Sequence, residues 1–469
     1  VDLTALPWPD VDAWLAAVRA SPLAGPLRLE GSALYLDRYW REEVQVAADL
    51  RALRDGPAAA VDEPLLADGL ARRLTDERQR LAAATAVRRR FAVVAGGPGT
   101  GKTTTVARIV ALLREQAPSS LIGLAAPTAV AAARLTDAMR GAGIEDLEAR
   151  TLHRLLGWRP NTHSRFRHHR GNRLPHDVVI VDETSMVALW QMARLVEAVR
   201  PGARLILVGD PGQLTSIEAG AVLGDIAAAG GDAIVTLDEV YRYDEDIARV
   251  ADAIRRGDGD ATVAALRGVT WIEDPEAALD PLRERAAATA RAVTAAAMAG
   301  DAAAAIAALG SFRLLCAHRR GPYGVSAWTA RIEEWTGAGG GEWYAGRPLL
   351  VTRNDYSLQL FNGDTGVVIA SEPGVLLAAF ERAQVSPTRL DAVETVYAMT
   401  VHKAQGSQFG TAAVVLPDPT SPILTRELLY TAVTRAREEL IVVATEEAIR
   451  AAVARPVARA SGLRARLTG

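Results

Sequence analysis

The sequence has little lysine, one cysteine and no long uncharged apolar run. Lys102 and Lys403 are the two lysines among 53 basic residues, and the others are arginine. A single cysteine, Cys316, excludes a disulfide framework and a zinc site built on paired thiolates, and it fits a reducing cytoplasm. The most apolar long stretch, residues 286–310, is mainly alanine with charged residues inside it, which predicts helices and no membrane span.

Length and charge narrow the class of protein further. A chain of 469 residues is too long for one ordinary core, so we expect two or three domains. The formal net charge of −3 excludes a protein that is basic over its whole surface. Any contact with nucleic acid must therefore come from a local basic patch. Because the sequence begins at Val1, we expect its natural start to lie upstream.

The hydrophobic pattern predicts an α/β protein. Short β-branched runs alternate with amphipathic helical patterns, as in parallel sheets that are covered on both faces. The first set of predicted strands comprises residues 91–94, 121–126, 178–181, 205–208 and 234–237. We assign this set, with the alanine-rich helices after it, to a first α/β domain over residues 61–310. A second set starts at Phe312 and predicts a second α/β domain over residues 311–469.

Two further regions differ from these α/β patterns. Residues 343–397 are rich in turns and alternating β patterns, and Asn362-Gly363-Asp364 between two apolar runs is a hairpin signal. We predict a small SH3-like β-barrel inserted there into the second domain. Residues 1–60 look helical, with tryptophans as apolar anchors and no catalytic motif. They are predicted to form a short helical N-terminal domain that docks onto a partner.

A phosphate-binding loop is the strongest chemical signal in the chain. Its pattern G-x-x-x-x-G-K-T follows a predicted strand and opens a predicted helix, the context that a P-loop requires. The glycines let backbone N–H groups point at phosphate, and the helix adds its positive end. We expect nucleotide contacts from Gly96, Gly97, Pro98, Gly99, Thr100, Gly101, Lys102, Thr103 and Thr104.

The position of Lys102 supports this interpretation. An ammonium is a compact point charge that fits a cradle of backbone N–H groups, whereas a guanidinium is a wide planar fork. The alternative is that lysine survives here by chance in a composition rich in alanine and arginine. Placement at the end of a complete P-loop favours a catalytic Lys102.

Two acidic residues complement the loop. Asp182 and Glu183 follow the apolar run at 178–181, which predicts that they lie at the end of a buried strand. Asp182, with the Thr103 hydroxyl, is expected to hold Mg²⁺, and Glu183 is expected to orient and deprotonate the attacking water. An ordinary acidic turn after a strand is the alternative.

Three more residues are candidates for the chemistry of phosphoryl transfer. Gln213, in the strand-Gly-Asp-x-x-Gln pattern at 205–213, is suited to sensing the γ-phosphate or its water, although an isolated loop glutamine is usually only solvated. Arg242 and Arg435 are candidates for stabilising charge on the transferring group, Arg435 reaching across from the second domain. Arg437 is expected to lie on the same helix as Arg435 and to point elsewhere.

These blocks, in this order, resemble the motifs of superfamily 1 helicases and more closely the RecD family, which provides the alpha subunit of the RecBCD enzyme (exodeoxyribonuclease V). The similarity extends from about residue 75 to about residue 440. Besides the motifs above, it includes residues 126–135, 151–157, 316–325, 353–355, 362–366 and 400–406. Small departures stand at Ala404, Gln408 and Thr215, where the family often has serine, glutamate and proline.

The resemblance implies two RecA-like P-loop NTPase domains that use ATP and Mg²⁺ to move 5′→3′ along single-stranded DNA. It implies that Gln79 reads adenine and that Thr128 and His153 lie in segments touching single-stranded DNA. Thr400, His402 and Lys403 fall in the motif that links DNA contact to nucleotide state. The implied partners are single-stranded DNA, double-stranded DNA with ends, and RecB-like and RecC-like subunits of a heterotrimer.

A basic segment at residues 157–177 can be interpreted from its own residues. It is polar, of hairpin length, and includes Arg165, Arg167 and Arg170 among several basic side chains. One interpretation is a pin that meets the duplex or guides a strand, with salt-sensitive phosphate contacts. A solvated basic loop is the other, and the sequence favours neither.

The sequence therefore predicts a DNA-stimulated ATPase that moves along single-stranded DNA. Carboxylates are plentiful, but none clusters with a lysine that is not already assigned, so nuclease activity is expected from a partner subunit. Two alternatives stay open. One is a stand-alone helicase of the same family, and the other is a nucleotide-controlled scaffold that binds ATP without translocating.

Overall fold

In the part that the structure describes, the chain forms two parallel sheets, a five-stranded antiparallel sheet and a two-stranded antiparallel hairpin. The structure is a computed structural model that describes residues 7–22, 25–159, 166–216, 220–239, 245–274, 276–277, 279–337, 341–355, 357–457 and 459–468. Among these residues, no helix combines the length and the apolar character needed to cross a bilayer.

The N-terminal region contains helices and a hairpin. Its elements are α1 (Val11–Ala20), β1 (Leu27–Glu30), β2 (Ala33–Leu36), α2 (Asp37–Arg54), α3 (Glu63–Arg73) and α4 (Glu77–Arg88). Three of the helices begin with an aspartate whose side chain accepts a backbone N–H of the first turn, namely Asp10, Asp62 and Asp76.

The first parallel sheet has the strand order β5-β4-β6-β7-β3-β8. Its strands are almost wholly apolar and buried, as expected for a sheet covered on both faces. In sequence the elements are β3 (Phe91–Gly96), α5 (Lys102–Gln116), β4 (Ile122–Ala126), α6 (Ala129–Gly141), β5 (Arg150–Thr151), α7 (Leu152–Leu156), β6 (Val178–Val181), α8 (Leu189–Ala198), β7 (Arg204–Gly209), α9 (Val222–Ala229) and β8 (Ile234–Leu237).

The register brings three functional segments to one edge of this sheet. Ala95 of β3 lies beside Gly209 of β7, and Val181 of β6 lies beside Leu207 of β7. Because parallel strands end at the same edge, the loops after β3, β6 and β7 are neighbours. These loops carry the P-loop, the acidic pair and Gln213.

The second parallel sheet has the order β16-β10-β17-β18-β9. Its elements, in sequence, are α10 (Glu245–Arg256), α11 (Gly259–Leu266), β9 (Thr270–Ile272), α12 (Leu279–Met298), α13 (Ala302–Leu309), β10 (Phe312–Cys316) and α14 (Val325–Thr336), then, after the insertion, β16 (Ala398–Thr400), β17 (Phe409–Val415), α15 (Arg426–Val433), β18 (Ala436–Val443), α16 (Glu446–Ala454) and α17 (Leu463–Thr468).

The insertion between α14 and β16 is a five-stranded antiparallel sheet of order β14-β13-β12-β11-β15. Its strands are β11 (Pro348–Val351), β12 (Thr365–Glu372), β13 (Val375–Phe380), β14 (Gln384–Val385) and β15 (Val393–Thr395). The predicted β content of residues 343–397 is thus present. Closure of these strands into a barrel stays a prediction.

The boundary that we predicted at residue 310 lies too late in the chain. Strand β9 pairs with β18 of the second sheet, and α10 and α11 pack into the same core as α15 and α16. Residues of α12 and α13 pack on the second parallel sheet and on β12 of the insertion. Residues 245–309 therefore belong with the second domain, because their apolar faces are buried there.

Helix α2 and the C-terminal helix α17 pack on the first domain. Val46 and Leu50 of α2 share one core with β3, β6 and β7, so this helix belongs with the first domain, while a separate domain for the residues before it stays a prediction. Leu463 and Leu467 of α17 enter the same core, although we assigned this segment to the second domain. Buried Glu43 of α2 accepts the Gly462 N–H and the Ser461 hydroxyl, which fixes the returning chain.

Candidate active site

The P-loop lies between β3 and α5, as the sequence predicts. Gly99 and Gly101 have φ of +81° and +78°, a backbone conformation in which only glycine is unstrained. Lys102 opens helix α5, and its ammonium donates to the carbonyl oxygens of Gly96 (2.6 Å) and Gly97 (2.7 Å). The point charge of lysine is therefore held inside the curve of its own loop.

Asp182 and Glu183 occupy the loop after β6. Asp182 is buried, and the nearby Thr103 hydroxyl favours the ionised form of its carboxylate. Burial first, and the neighbouring Glu183 carboxylate second, raise the pKa of Asp182 to about 7. A buried carboxylate beside a second carboxylate and a hydroxyl forms a set of oxygen ligands whose negative charge a cation would neutralise. Thr103 and Asp182 are therefore chemically suited to hold Mg²⁺, which would lower that pKa.

Glu183 is held in an uncommon backbone conformation. Its φ is +51°, and among the described non-glycine residues only Gln359 also has a positive φ. Such strain persists where the surrounding structure fixes it, and it is frequent at functional sites. The Glu183 N–H donates to Asp182 Oδ1 at 2.8 Å, which ties the two acidic residues together.

The loop after β7 carries Gln213. Asp210, at the end of the strand, is buried and accepts the Gly212 N–H at 2.9 Å and the Gln213 side-chain amide at 3.1 Å. Burial raises the pKa of Asp210, although the Lys102 charge opposes this. The sequence pattern contained Asp210, but we gave it no role there.

One cavity of about 430 Å³ lies between the two α/β domains. The first domain contributes the loop from Pro98 to Thr104, and also Asp182, Glu183 and Gln213. The second domain contributes Arg435, which is 2% exposed. Its guanidinium donates to Thr431 O (2.9 Å), Ser407 O (3.2 Å) and the Thr434 hydroxyl (3.1 Å).

Two further arginines, Arg134 and Arg437, line this cavity, and neither was expected there from the sequence. Arg134 of α6 donates to the Gly406 carbonyl, and burial, helped by Arg435, lowers its pKa. It lies inside the block 126–135 that resembles the family, which was the available signal. Arg437 also lines the cavity, so our expectation for it was wrong. Helix α15 ends at Val433, and Arg437 is on β18, where helical spacing from Arg435 does not apply.

Gln79 lies in the first turn of α4 and faces the P-loop. It is buried, its amide donates to the Thr100 carbonyl at 3.5 Å, and its carbonyl oxygen accepts from Arg108 at 2.9 Å. Its role in reading adenine stays a prediction. Arg242 lies outside the described residues, as does Arg165.

The residues predicted to touch DNA are distributed over both domains. Thr128 caps α6, and His153 of α7 packs against the rings of Phe166 and Trp190, at 5.8 and 6.1 Å between centroids. Phe166 and Trp190 are themselves stacked at 6.3 Å. This aromatic group belongs to the first domain.

In the second domain, Thr400 and Lys403 lie at the end of β16. The Thr400 hydroxyl accepts the Lys403 N–H at 3.2 Å, and Lys403 Nζ lies 3.4 Å from a carboxylate oxygen of Glu394. Arg319 lies 3.4 Å from the same carboxylate. Burial, helped by the Arg459 charge, lowers the pKa of His402.

The basic segment folds back on the first domain. An antiparallel bridge joins Trp158 to Phe166, and residues 160–165 between them lie outside the described residues. A second antiparallel bridge joins His169 to Asn172 across a short turn. Arg167 is exposed, whereas Arg170 pairs with Asp49 of α2 at 2.6 Å. A complete hairpin over 157–177 and its contact with DNA both stay predictions.

A P-loop and an acidic pair on one parallel sheet, facing an arginine from a second parallel sheet, define a two-domain P-loop NTPase. Family models agree: one described as an AAA domain matches residues 73–277, and one described as a UvrD-like helicase C-terminal domain matches residues 395–443. The RecBCD enzyme subunit RecD of Mycolicibacterium smegmatis is 51% identical over 499 residues, covering 100% of this chain and 88% of that protein. The chain belongs to the RecD family of superfamily 1 helicases.

Other relatives and solved structures extend this comparison. The RecBCD enzyme subunit RecD of Mycobacterium tuberculosis is 50% identical over 98% of this chain and 85% of that protein. The ATP-dependent RecD2 DNA helicase of Deinococcus radiodurans is 34% identical over 90% of this chain and 56% of that protein. A solved structure of Bacteroides Pif1 helicase with ADP-AlF3 and single-stranded DNA covers 80% of this chain and 94% of its own, at 18% identity and a TM-score of 0.45.

Proposed function

We propose that this chain hydrolyses ATP in the cleft between its two α/β domains and uses the cycle to move 5′→3′ along single-stranded DNA. The observation that supports this most is that Lys102 and Glu183 of the first domain and Arg435 of the second domain line one cavity. A site that needs both walls couples turnover to the relative position of the domains.

Each wall has a distinct chemical task in this proposal. Lys102 and the backbone N–H groups of the P-loop bind the phosphates, and Thr103 and Asp182 would hold Mg²⁺, whose chemistry is to neutralise charge on the phosphate oxygens. Glu183 orients and deprotonates the attacking water. Arg435 stabilises the charge that develops on the transferring phosphoryl group when the domains close.

Movement along DNA requires grip on both domains. Thr128 and the aromatic group around His153 offer the first domain a hydroxyl and rings for base stacking. Thr400, His402 and Lys403 would supply the grip of the second domain, and they lie in the segment that continues to Gly406 at the cavity wall. Exposed Arg167 adds a further phosphate contact.

The mycobacterial relatives are named subunits of the RecBCD enzyme. We therefore propose that this chain works with RecB-like and RecC-like subunits on DNA ends, in double-strand break repair and recombination, and that a partner carries the nuclease. A stand-alone helicase, like the Deinococcus relative, is the second candidate.

The test is ATP turnover with and without single-stranded DNA, on the chain alone and with co-expressed partner subunits. We expect stimulation by DNA, and we expect Lys102→Gln to abolish turnover and translocation with the fold retained. Arg114→Gln, near the other end of the same helix, is the matched control. Turnover that ignores DNA in every combination would instead indicate a nucleotide-controlled scaffold.

A further inference from the structure

Three hydrogen bonds join the Gln213 loop of the first domain to the second domain. The Tyr430 hydroxyl of α15 donates to Asp210 Oδ2 at 3.0 Å. The Leu214 N–H donates to the Thr431 hydroxyl at 2.8 Å, and the Leu214 carbonyl accepts from the Gln405 side-chain amide at 2.7 Å. Both backbone polar groups of Leu214 are thus bound by side chains of the other domain.

Tyr430 and Gln213 meet on one oxygen atom. The Gln213 amide also donates to Asp210 Oδ2, at 3.1 Å. Because a carboxylate only accepts hydrogen bonds, this contact fixes the NH₂ end of the Gln213 amide on Asp210. The carbonyl oxygen of Gln213 is then the end left to accept a hydrogen bond, which is what orienting a water molecule requires.

Tyr430 also touches the P-loop. It is 4% exposed, and a Cβ added at Gly97 would lie 2.9 Å from its hydroxyl oxygen. The hydroxyl therefore sits between the P-loop and Asp210, although it comes from the second domain. Any shift of α15 relative to the first sheet must move or break this contact.

The next residue connects the same loop to Arg435. The Thr431 hydroxyl accepts from Leu214, while the Thr431 carbonyl accepts from Arg435 Nε at 2.9 Å. Thr431 is fully buried, so both contacts are shielded from water. One turn of α15 thus touches the Gln213 loop on one side and Arg435 on the other.

We propose that Tyr430 is a positioning residue for ATP hydrolysis. Its hydroxyl holds Asp210 Oδ2, and through it the Gln213 amide, in the orientation that the reaction needs, so that Gln213 is aligned only when α15 is in register with the first sheet. This inference rests on the proposed function, because it assumes that Gln213 faces the γ-phosphate and its water.

The experiment is a double-mutant cycle on ATP turnover with Tyr430→Phe and Gln213→Ala. Tyr430→Phe keeps the ring and removes one hydrogen bond to a carboxylate. We expect kcat to fall about tenfold with KM for ATP unchanged. In the Gln213→Ala background the same change should have no further effect on kcat. Tyr344→Phe, which removes a hydroxyl contact with Tyr397 in the same domain, is the matched control and should leave kcat unchanged.

Two results would overturn the proposal. One is a kcat for Tyr430→Phe equal to that of the parent. The other is a fall in kcat that is as large in the Gln213→Ala background as it is in the parent background. If Tyr430→Phe does not fold, Thr431→Val and Thr431→Ser test the register of α15 with the Gln213 loop, on which the proposal also depends, since the serine keeps the hydroxyl that binds Leu214. The valine should lose turnover and the serine should retain it, and equal turnover of the two overturns the proposal.

The cycle is run on basal and on DNA-stimulated turnover. If DNA does not stimulate ATP turnover by the parent, the proposed function is refuted, while the mutant cycle on basal turnover still decides the role of Tyr430. If DNA does stimulate the parent and Tyr430→Phe leaves turnover unchanged, only this inference is refuted.

Discussion

Arg435 is the residue on which the two-domain site can be tested most directly. Replacing it with alanine removes the charge that the second domain contributes beside Lys102 and Glu183, while the first domain keeps its whole nucleotide-binding surface. Replacing it with lysine keeps a positive charge but removes the planar fork. The two substitutions therefore separate charge from geometry.

The structure sets the size of the expected effect. An arginine that stabilises phosphoryl transfer contributes about 10³–10⁵ in turnover. The Arg435 guanidinium already donates hydrogen bonds to Thr431, Ser407 and Thr434. These bonds orient it but leave fewer N–H groups for the phosphoryl oxygens. We therefore expect the lower end, a loss in kcat of about 10³-fold for Arg435→Ala, or about 4 kcal/mol in the barrier. The lysine variant should recover little, because one ammonium cannot reproduce three fixed contacts.

The assay is DNA-stimulated turnover together with nucleotide affinity. Affinity should change little in both variants, because the phosphates are bound chiefly by the first domain. Truncation removes the three hydrogen bonds that the guanidinium donates to Thr431, Ser407 and Thr434, so thermal unfolding of each variant must be recorded as well. Arg450→Ala, on a surface helix of the same domain, is the control. A folded Arg435→Ala variant with kcat within about threefold of the parent would refute the reasoning.

Three further predictions address other parts of the molecule. Glu183→Gln should lower kcat about 10²–10⁴-fold and spare binding of a fluorescent ATP analogue. Burial lowers the pKa of His176, so below about pH 6.5 the unfolded state binds more protons than the folded state, and the protein loses stability as the pH falls. His176→Gln removes this titration, so its unfolding free energy should decrease less on acidification than that of the parent, as acid denaturation would show. Arg167→Ala should reduce the slope of the logarithm of the DNA-binding constant against the logarithm of salt concentration by about one. Arg170→Ala, which breaks the ion pair with Asp49, should chiefly affect stability.

The parts of the site that lie close together in sequence could be predicted from it. The P-loop and the Asp182-Glu183 pair each follow a buried strand directly, so pattern and context coincide. Parallel strands bring their loops to one edge, which follows from topology alone. Arg435 could be proposed for the opposite wall because it lies in the predicted second α/β domain, and the structure brings it to the same cavity.

The parts that depend on distant contacts could not be predicted. Strand β9 has three residues, and only its pairing with β18 shows to which sheet it belongs. Helix α17 lies at the end of the chain but packs with α2, because Leu463 and Leu467 find their apolar partners there. Tyr430 lies close to Arg435 in the sequence, yet no local pattern connects its hydroxyl with Asp210, which lies 220 residues earlier.

Lys102 illustrates why this chain does not use arginine everywhere. Lys102 donates to two carbonyl oxygens of its own loop, and a phosphate can replace those acceptors because ionised oxygens are stronger partners for an ammonium. A guanidinium fixed by several bonds, like that of Arg435, could not exchange partners so readily. The residue that must change partners is thus a mobile point charge, whereas the residue that must keep its place has a planar guanidinium fixed by three acceptors around it. Exchange of the two types at either position should therefore damage turnover even though the net charge is unchanged.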